Sequence, residues 1–390
     1  MSALGHPILV AALAIVTALA LFGIFARAHL RYWVRRLTLP LEYATCETVA
    51  TPDGSRIELR QVPVPVGVML ATLPPVLLVH GIGANYRNND LQPNFSLARH
   101  LAAQGHDVWL LTLRSGLGRW TRAESLRVRF AAMVKEDVPL AVATVLARTG
   151  AAAVDYVGFS MGGMLLYAAL GRTLPARLVR RAVIVGSPAR VTAPRQLLPL
   201  LRRLPRWAVP GGHYKLGAHA FAFASEWVHT PIHRALINPD NMTAGMTRAV
   251  LVNMVEDIPA SLNADFLEWA VHDGAIRVDG VPVLPGLADI DVPALFFAGS
   301  ADRLAPPAAV KLAFDAWGAA RGDRAVKRLV VLGRSHGYRA DYGHGDLAVG
   351  AHATGELFEP IARFLGEGEP FATEPRSGIE RRLEGPLVTA

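Results

Sequence analysis

The sequence contains a single cysteine, Cys46, among 390 residues. A disulfide framework and a cysteine-rich zinc site are therefore excluded, and one free thiol is compatible with a reducing compartment. Lysine is scarce as well, so arginine carries most of the positive charge behind the formal net charge of +8. Charged residues make up only 18% of the chain, and hydrophobic residues 52%. This balance excludes global disorder and provides for a sizeable core.

Charge is absent from one stretch near the N-terminus, between residues 8 and 25. As a helix this stretch would be about 27 Å long, close to the thickness of the hydrocarbon region of a bilayer. No Lys or Arg precedes it, whereas a cleaved signal peptide starts with basic residues. The basic residues follow it instead, at Arg27, Arg31, Arg35 and Arg36. We predict that residues 1–36 form a single-pass membrane anchor with a basic flank, and the positive-inside bias places the rest of the chain in the cytoplasm. A signal peptide and a buried core helix are the alternatives.

Strand-like apolar runs alternate with helix-like stretches in two parts of the chain, residues 48–187 and 286–366. The runs cover residues 57–62, 75–80, 107–113, 154–159, 182–186, 293–299 and 328–333. Several are apolar throughout rather than alternating, which is typical of strands covered on both faces. The pattern predicts an α/β core with a mostly parallel central sheet and helices on both faces.

This alternation is interrupted between residues 188 and 285, a long stretch with helical segments, several prolines and several aromatic residues. We predict that it forms a helical cap, or lid, inserted into the core. Within it, residues 272–283 resemble a small hairpin with a turn at Asp279-Gly280. Residues 367–390 are rich in Gly, Glu, Pro and Arg, a composition that predicts a flexible tail.

The motif that carries chemistry is Gly158-Phe159-Ser160-Met161-Gly162, which lies where a predicted strand is followed by a predicted helix. This is the context of a G-x-S-x-G nucleophile turn, in which a serine occupies a sharp, strained bend. Gly158 and Gly162 provide the room that closely approaching backbone requires. The N–H of Met161 opens the helix and points toward a developing oxyanion. Ser160 is the candidate nucleophile, and a serine in an ordinary strand–helix turn is the alternative.

A second glycine motif precedes it in the chain, where the predicted strand 75–80 ends in His80-Gly81-Ile82. With these two motifs the chain resembles the α/β-hydrolase superfamily over residues 48–366. The resemblance implies that the backbone N–H groups of Ile82 and Met161 form an oxyanion hole. Each donor of this kind typically contributes ~10²–10³ in rate. An ordinary strand-ending turn is the alternative for His80-Gly81.

A serine nucleophile needs a histidine to remove its proton and a carboxylate to orient that histidine. In the superfamily these residues follow one another in the chain order serine, acid, histidine. The stretch 293–306 is similar to the superfamily's acid loop and identifies Asp302 as the acid. The Tyr-x-His-x-Asp-Leu stretch around His344 resembles the acid-lipase branch, which favours His344 as the base. His336 lies nearer to the last predicted strand and is the alternative base.

Acidic residues are absent between Asp155 and Glu226, although this stretch holds ten basic residues. Part of it, residues 197–207, interleaves Leu and Trp with Arg. Arginines attract anionic headgroups, and Leu and Trp can enter the interface. We therefore predict that this edge of the cap lies on the membrane and admits a lipid-like or other apolar ester. A solvated face, on which arginine stems cover the core, is the alternative. Nucleic acid is not an expected partner, because no recognisable recognition module accompanies the charge.

Together these features predict a membrane-anchored serine hydrolase that cleaves carboxylic esters through Ser160, His344, Asp302 and an acyl-enzyme. No cofactor is implied, and no metal is expected, because the histidines show no compact metal-ligand spacing. The resemblance extends to a polyhydroxyalkanoate-synthase-like branch with a cysteine nucleophile, and the serine at 160 favours hydrolysis over polymerisation. An acyltransferase with the same triad and a catalytically inactive hydrolase fold that binds ligands are the alternatives.

Overall fold

The N-terminal segment is one long helix in the computed structural model, which describes residues 5–118, 120–193, 196, 198–366 and 368. This helix, α1 (Gly5–Leu37), has 33 residues, or about 50 Å of length. Its part Leu9–Leu37 is long and apolar enough to cross a membrane. The mean hydropathy of the most apolar window is 2.7, and none of that window is buried inside the protein. The segment predicted as an anchor is therefore an exposed apolar helix that extends through its basic flank.

A central sheet of eight strands and a separate two-stranded hairpin make up the β-structure. In chain order the strands are β1 (Thr45–Ala50), β2 (Arg56–Gln61), β3 (Val76–Val79), β4 (Val108–Thr112), β5 (Val154–Phe159), β6 (Val179–Val185), β7 (Arg277–Val278), β8 (Val281–Pro282), β9 (Ala294–Gly299) and β10 (Lys327–Leu332). The order across the sheet is β1-β2-β4-β3-β5-β6-β9-β10. β1 and β2 pair antiparallel with their neighbours and all other pairs are parallel, which confirms the predicted sheet.

Helices follow most of the strands. In chain order they are α2 (Leu97–Ala103), α3 (Arg122–Arg127), α4 (Phe130–Ala132), α5 (Val138–Thr149), α6 (Met161–Ala169), α7 (Leu198–Leu201), α8 (Tyr214–Phe221), α9 (Pro231–Leu236), α10 (Met246–Asn253), α11 (Ala260–Val271), α12 (Pro307–Ala316), α13 (Asp346–Val349) and α14 (Glu359–Gly366). A π-helical turn, Met133–Asp137, joins α4 to α5, and another, Thr354–Phe358, precedes α14.

Helices cover the sheet on both faces. Leu77 and Val79 of β3 belong to an apolar cluster with α5, α6 and α12, whereas Val76 and Leu78 belong to a second cluster with α2 and α14. All four side chains are fully buried. Successive residues of a strand point to opposite faces, so burial of every residue requires cover on both sides. This explains why the central strands are apolar throughout.

The stretch 188–285, predicted to be the cap, contains helices α7 to α11 and the hairpin β7–β8 between strands β6 and β9. The hairpin turns at Asp279 and Gly280, whose φ angles of 51° and 77° are both positive, as a type I′ turn requires. The limits of the core, cap and anchor as separate domains remain predictions. Apart from Gly368, the predicted tail at 367–390 lies outside the described residues, as do Arg195 and Leu197 of the basic stretch.

Candidate active site

The two glycine motifs meet at the point where the chain reverses its direction across the sheet. β4 lies on one side of β3 and β5 lies on the other, so β3 and β5 form a topological switch point. In open α/β sheets, ligands bind in the crevice outside the carboxyl ends of such strands. His80 follows β3 directly, and Ser160 follows β5 directly. A Cβ added to Gly81 would lie only 3.0 Å from Cβ of Ser160.

Ser160 forms a strained bend between β5 and α6. Its φ and ψ angles are 51° and −116°, a conformation that non-glycine residues rarely adopt. Such a conformation costs about 1–3 kcal/mol and persists only where surrounding contacts impose it. Here the N–H of Ser160 donates to the carbonyl of Val185 at 2.8 Å, and the N–H of Gly163 donates to the carbonyl of Ser160 at 3.1 Å. The bend is therefore held by the neighbouring strand β6 and by the first turn of α6.

The glycines on either side of Ser160 stand where backbone segments approach closely. A Cβ at Gly158 would lie 2.5 Å from the amide nitrogen of Gly163, and a Cβ at Gly162 would lie 2.4 Å from the carbonyl oxygen of Val79. Both atoms belong to the backbone, so a larger residue would have to displace α6 or β3. The serine turn thus depends on the absence of side chains at 158 and 162.

A continuous series of hydrogen bonds joins Ser160 to an acid through a histidine. The Nδ1 of His344 donates to Oδ2 of Asp302 at 2.7 Å, and its Nε2 lies 2.9 Å from Oγ of Ser160. The other oxygen of Asp302 accepts the N–H groups of Leu304 and Ala305, both at 2.8 Å. Because Nδ1 carries a proton toward the carboxylate, Nε2 is free to accept the proton of the serine hydroxyl. Ser160, His344 and Asp302 are 8, 8 and 3% exposed. This geometry suits general-base activation of a serine.

Of the two candidate histidines, the structure brings His344 and not His336 to Ser160. His336 ends a short helical turn after β10, and its Nδ1 lies 3.0 Å from the hydroxyl of its neighbour Ser335. The chain then returns along the acid loop, where the N–H of Ala301 donates to the carbonyl of Tyr342 at 2.9 Å. Because of this hydrogen bond, residue 344 rather than residue 336 lies at the carboxyl edge of β5.

The backbone around Ile82 is held on both sides. The N–H of Gly81 donates to Oδ1 of Asn88 at 3.0 Å, and the carbonyl of Gly83 accepts the N–H of Glu256 at 2.8 Å. Met161 is the first residue of α6, so its N–H has no acceptor within the helix. The two amides predicted as oxyanion donors thus belong to segments that adjoin Ser160.

His80 holds the same loop to β4. Its Nδ1 donates to the carbonyl of Gly81 at 2.8 Å, and its Nε2 accepts the N–H of Leu113 at 3.0 Å. The side chain is fully buried, and this burial lowers the pKa of His80 to about 4. The imidazole is therefore neutral near pH 7, which is the state that one donating and one accepting nitrogen require.

Two residues that hold the site were not identified as functional from the sequence, Asn88 and Asp346. Both are buried, Asn88 at 2% exposure and Asp346 at 0%. A signal for Asn88 existed, because the polar run 85–90 follows a strongly apolar strand and glycine turn. Polar residues that directly follow a buried strand lie near the carboxyl edge of the sheet, where ligands bind, so a role at the site could have been considered for this run. Asp346 was visible only as part of the motif around His344.

Comparisons with known proteins concern the fold and the family. The sequence model of a family described as alpha/beta hydrolase fold matches residues 74–336. Human gastric triacylglycerol lipase is 31% identical over 173 residues, which are 40% of this chain and 42% of the human protein. Lipase member K of Mus musculus is 32% identical over 176 residues, 41% of this chain and 43% of the mouse protein. The chain thus spans less than half the length of these curated relatives.

Among solved structures, the thioesterase domain from the curacin biosynthetic pathway is similar, with a TM-score of 0.52 and 16% sequence identity. The match covers 82% of this chain and 98% of that domain. At this level of identity the likeness concerns the fold alone.

Proposed function

Since the chain belongs to the α/β-hydrolase family, we propose that it is a membrane-anchored serine hydrolase that cleaves carboxylic esters with apolar acyl groups. The observation that carries the proposal is the hydrogen-bonded series Asp302, His344 and Ser160, with distances of 2.7 and 2.9 Å. The strained bend at the serine supports it, because such strain is concentrated at functional sites. The names of the two curated relatives described above, both lipases, support an ester substrate.

In the first half-reaction, Nε2 of His344 takes the proton of Ser160 while Oγ attacks the carbonyl carbon of the ester. The carbonyl oxygen becomes an oxyanion and accepts hydrogen bonds from the N–H groups of Ile82 and Met161. Asp302 orients the imidazolium and stabilises its charge. The imidazolium then donates its proton to the alcohol oxygen, the C–O bond breaks, and the acyl group remains on Ser160.

In the second half-reaction, His344 removes a proton from water, and the water oxygen attacks the acyl carbon. The same two amides bind the second oxyanion. When this intermediate collapses, the imidazolium returns its proton to Oγ of Ser160, and the carboxylic acid leaves. Ester and water are consumed, and acid and alcohol are formed.

The surroundings of the triad favour an apolar acyl group. The ring of Phe159 packs on the imidazole of His344, with centroids 5.3 Å apart. A Cβ added to Gly83 would lie 3.2 Å from the side chain of Ile258, so a cap residue borders the oxyanion loop with hydrocarbon. Apolar walls around a few oriented polar groups are typical of small-molecule sites.

The test is a panel of esters of increasing acyl length, combined with fluorophosphonate labelling of the serine. We expect Ser160→Ala and His344→Ala to lower kcat by ~10⁴-fold or more, since the triad residues act as a unit. His336→Ala is the matched control and should stay within about twofold of wild type. Absence of labelling in the folded wild-type protein, or a loss of activity in His336→Ala alone, would contradict the proposed triad.

The anchor is packed against the cap, which supports the membrane as a partner. The ring of Phe223 lies between two aromatic side chains of α1. The imidazole of His29 makes an edge contact with it, with ring centroids 5.0 Å apart, and the ring of Trp33 stacks on the ring of Phe223 with centroids 6.4 Å apart. His29 lies two residues beyond Arg27, the first charge after the apolar run, so with α1 as an anchor we expect Phe223 near the level of the headgroups. We infer that the cap borders the bilayer that holds α1.

Apolar side chains carry the cap's proposed contact with lipid better than its arginines do. Trp207 and Trp227 are 88 and 74% exposed, and such rings favour the membrane interface. Many basic residues of the stretch 156–225 are instead hydrogen-bonded within the protein. These are Arg172, Arg180, Arg181, Arg190, Arg202, Arg206 and Lys215. Because these side chains bond within the protein, we assign the proposed contact with lipid to the exposed apolar side chains rather than to headgroup pairing.

Orientation in the membrane can be tested with the natural cysteine, because Cys46 is exposed and follows α1 closely in the chain. A membrane-impermeant maleimide should label the full-length protein in inverted vesicles and not in intact cells, if the catalytic part lies in the cytoplasm. Cys46→Ser is the control for labelling at other sites. The reverse pattern would contradict the cytoplasmic orientation, and release of the protein by alkaline carbonate would contradict the anchor itself.

A further inference from the structure

The carboxylate of Asp346 has no part in the proposed catalytic steps, although it lies two residues after His344. It is fully buried at the start of α13. Its Oδ1 accepts the backbone N–H of Asn238 at 3.0 Å, and its Oδ2 accepts Nδ2 of Asn241 at 2.8 Å and the N–H of Gly343 at 3.0 Å. One side chain therefore joins the residue before His344 to two residues of the predicted cap.

These bonds belong to a longer contact between cap residues 236–241 and the loop that carries His344. The N–H of Gly345 donates to the carbonyl of Leu236 at 2.8 Å, and the N–H of Ala351 donates to the carbonyl of Asn241 at 2.8 Å. A further bond runs from Nδ2 of Asn238 to the carbonyl of Asp341 at 2.6 Å.

The contact leaves no room for a side chain at residue 343. A Cβ there would lie 2.8 Å from Oδ1 of Asp346 and 2.9 Å from the amide nitrogen of Asn238. The glycine before the histidine is therefore a condition for the cap segment to approach. Both neighbours of His344, Gly343 and Gly345, donate hydrogen bonds that depend on this contact.

We propose that Asp346 is a positioning residue that couples the cap to the base, so that cap residues 236–241 set the approach of His344 to Ser160. This inference rests on the proposed function, because it assigns the base to His344. On this proposal, the distance of 2.9 Å between Nε2 of His344 and Oγ of Ser160 depends on the hydrogen bonds between the cap segment and the loop that carries His344. A substrate or lipid that displaces the cap segment changes the activation of the serine without touching the triad.

The experiment uses the full-length protein and measures the rate of fluorophosphonate labelling, kcat and KM for a small soluble ester, and the thermal midpoint. Asp346→Asn keeps the shape of the side chain but replaces one carboxylate oxygen with an NH₂ group. Because both oxygens of Asp346 accept hydrogen bonds from N–H groups, the new NH₂ group must face another donor. Loss of one buried hydrogen bond to a charged group costs enough to change a rate by about 10- to 100-fold. We expect the labelling rate and kcat to fall by that factor, with KM within about twofold.

The matched control is Asp265→Asn. Asp265 is also a buried carboxylate that joins the cap to the core, because it lies on α11 and accepts the N–H of Phe130 at 3.0 Å. It lies outside the contact with the His344 loop. Asp265→Asn should therefore lower the thermal midpoint without a comparable loss in labelling. Adding Asn241→Asp to Asp346→Asn restores a donor and an acceptor between the two positions, and this double variant should recover part of kcat.

The outcomes separate the inference from the proposed function. If wild type is not labelled, the proposed function fails and the inference fails with it. If wild type is labelled but Asp346→Asn loses no more than Asp265→Asn, the positioning role alone is wrong. If Asn241→Ala leaves labelling unchanged while Asp346→Asn lowers it, the coupling to the cap is wrong.

Discussion

Replacement of Asn88 by alanine is expected to slow acylation without weakening substrate binding. Oδ1 of Asn88 accepts the N–H of Gly81 at 3.0 Å, and the residue is only 2% exposed, so water cannot readily replace the lost acceptor. Gly81 directly precedes Ile82, whose N–H is the proposed oxyanion donor. The substitution leaves a buried donor unpaired next to that residue, and the loop must move to satisfy it.

The size of the effect has two bounds. An unpaired buried donor costs about 1–3 kcal/mol, and this is the driving force that displaces the loop. Loss of a whole oxyanion donor costs ~10²–10³ in kcat, which is the upper limit. A partial displacement of the Ile82 amide should therefore lower kcat by about 10- to 100-fold. KM should change little, because the bond to the oxyanion forms only in the transition state.

The assay is the pre-steady-state burst with a chromogenic butyrate ester, which reports acylation directly. Asn89→Ala is the matched control, since Asn89 is the adjacent residue, is 6% exposed, and its Nδ2 has no hydrogen-bond partner among the described residues. The same atoms are removed in both variants, but only Asn88 contacts the oxyanion loop. The control should keep its burst rate within about twofold of wild type.

Two results would refute the reasoning. A burst rate of Asn88→Ala equal to that of Asn89→Ala would mean that Asn88 does not hold the loop. A loss confined to KM would mean that the loop contacts substrate in the ground state, and the assignment of Ile82 as an oxyanion donor would then be wrong.

Two further predictions concern pH and the serine turn. Burial lowers the pKa of His80 to about 4 from an ordinary value of 6.5, so its contribution to stability is complete above pH 6.5 and is lost as the pH falls through about 4. The loss of stability between pH 6.5 and pH 4 should reach about 3 kcal/mol. The thermal midpoint of His80→Gln should therefore depend less on pH over this range than that of wild type, and an equal dependence would contradict this. Gly162→Ala places a Cβ 2.4 Å from the carbonyl oxygen of Val79, so it should abolish either folding or fluorophosphonate labelling. The control is Gly217→Ala in α8, where an added Cβ meets nothing within 4 Å. It should stabilise the helix by up to about 1 kcal/mol. A stable, labelled Gly162→Ala protein would disprove the close approach.

The parts of the fold that could be predicted are those whose signal is local. Continuous apolar runs such as Val76–Val79 and Ala294–Gly299 identify strands that are covered on both faces. The serine turn was predictable because its glycines are required by the backbone itself. β1 was not predicted, since three of its six residues are polar and four are exposed, so it carries neither an apolar run nor a clean alternation.

The parts that could not be derived from the residues alone depend on contacts between distant segments. Spacing from the last strand left His336 and His344 both open as the base, and only the family resemblance favoured His344. The pairing of Tyr342 with Ala301 turns the loop back toward β5, and this bond has no signature in the sequence. Burial of Asp346 likewise depends on Asn238 and Asn241, which lie far away in the chain and for which a single sequence gives no pattern. Asn88 differs, because its partner Gly81 lies nearby in the chain.

The predicted cap contacts both sides of the proposed catalytic site, and one residue joins these contacts to α1. Oδ1 of Asn253 accepts the N–H of Leu39 at 2.9 Å, and its Nδ2 donates to the carbonyl of Leu37 at 3.0 Å, so the end of α10 is bonded to the end of α1. The carbonyl of Asn253 accepts Nδ2 of Asn85, which begins the turn that carries Asn88. The proposed oxyanion loop is thus joined to α10 through Asn85, while the loop that carries His344 contacts residues 236–241. We therefore expect a movement of the predicted cap to act on the proposed donor loop and on the proposed base together, whereas a substitution in either loop acts on one. Because α10 is bonded to the end of α1, a bilayer that holds α1, as proposed above, would also restrain the predicted cap.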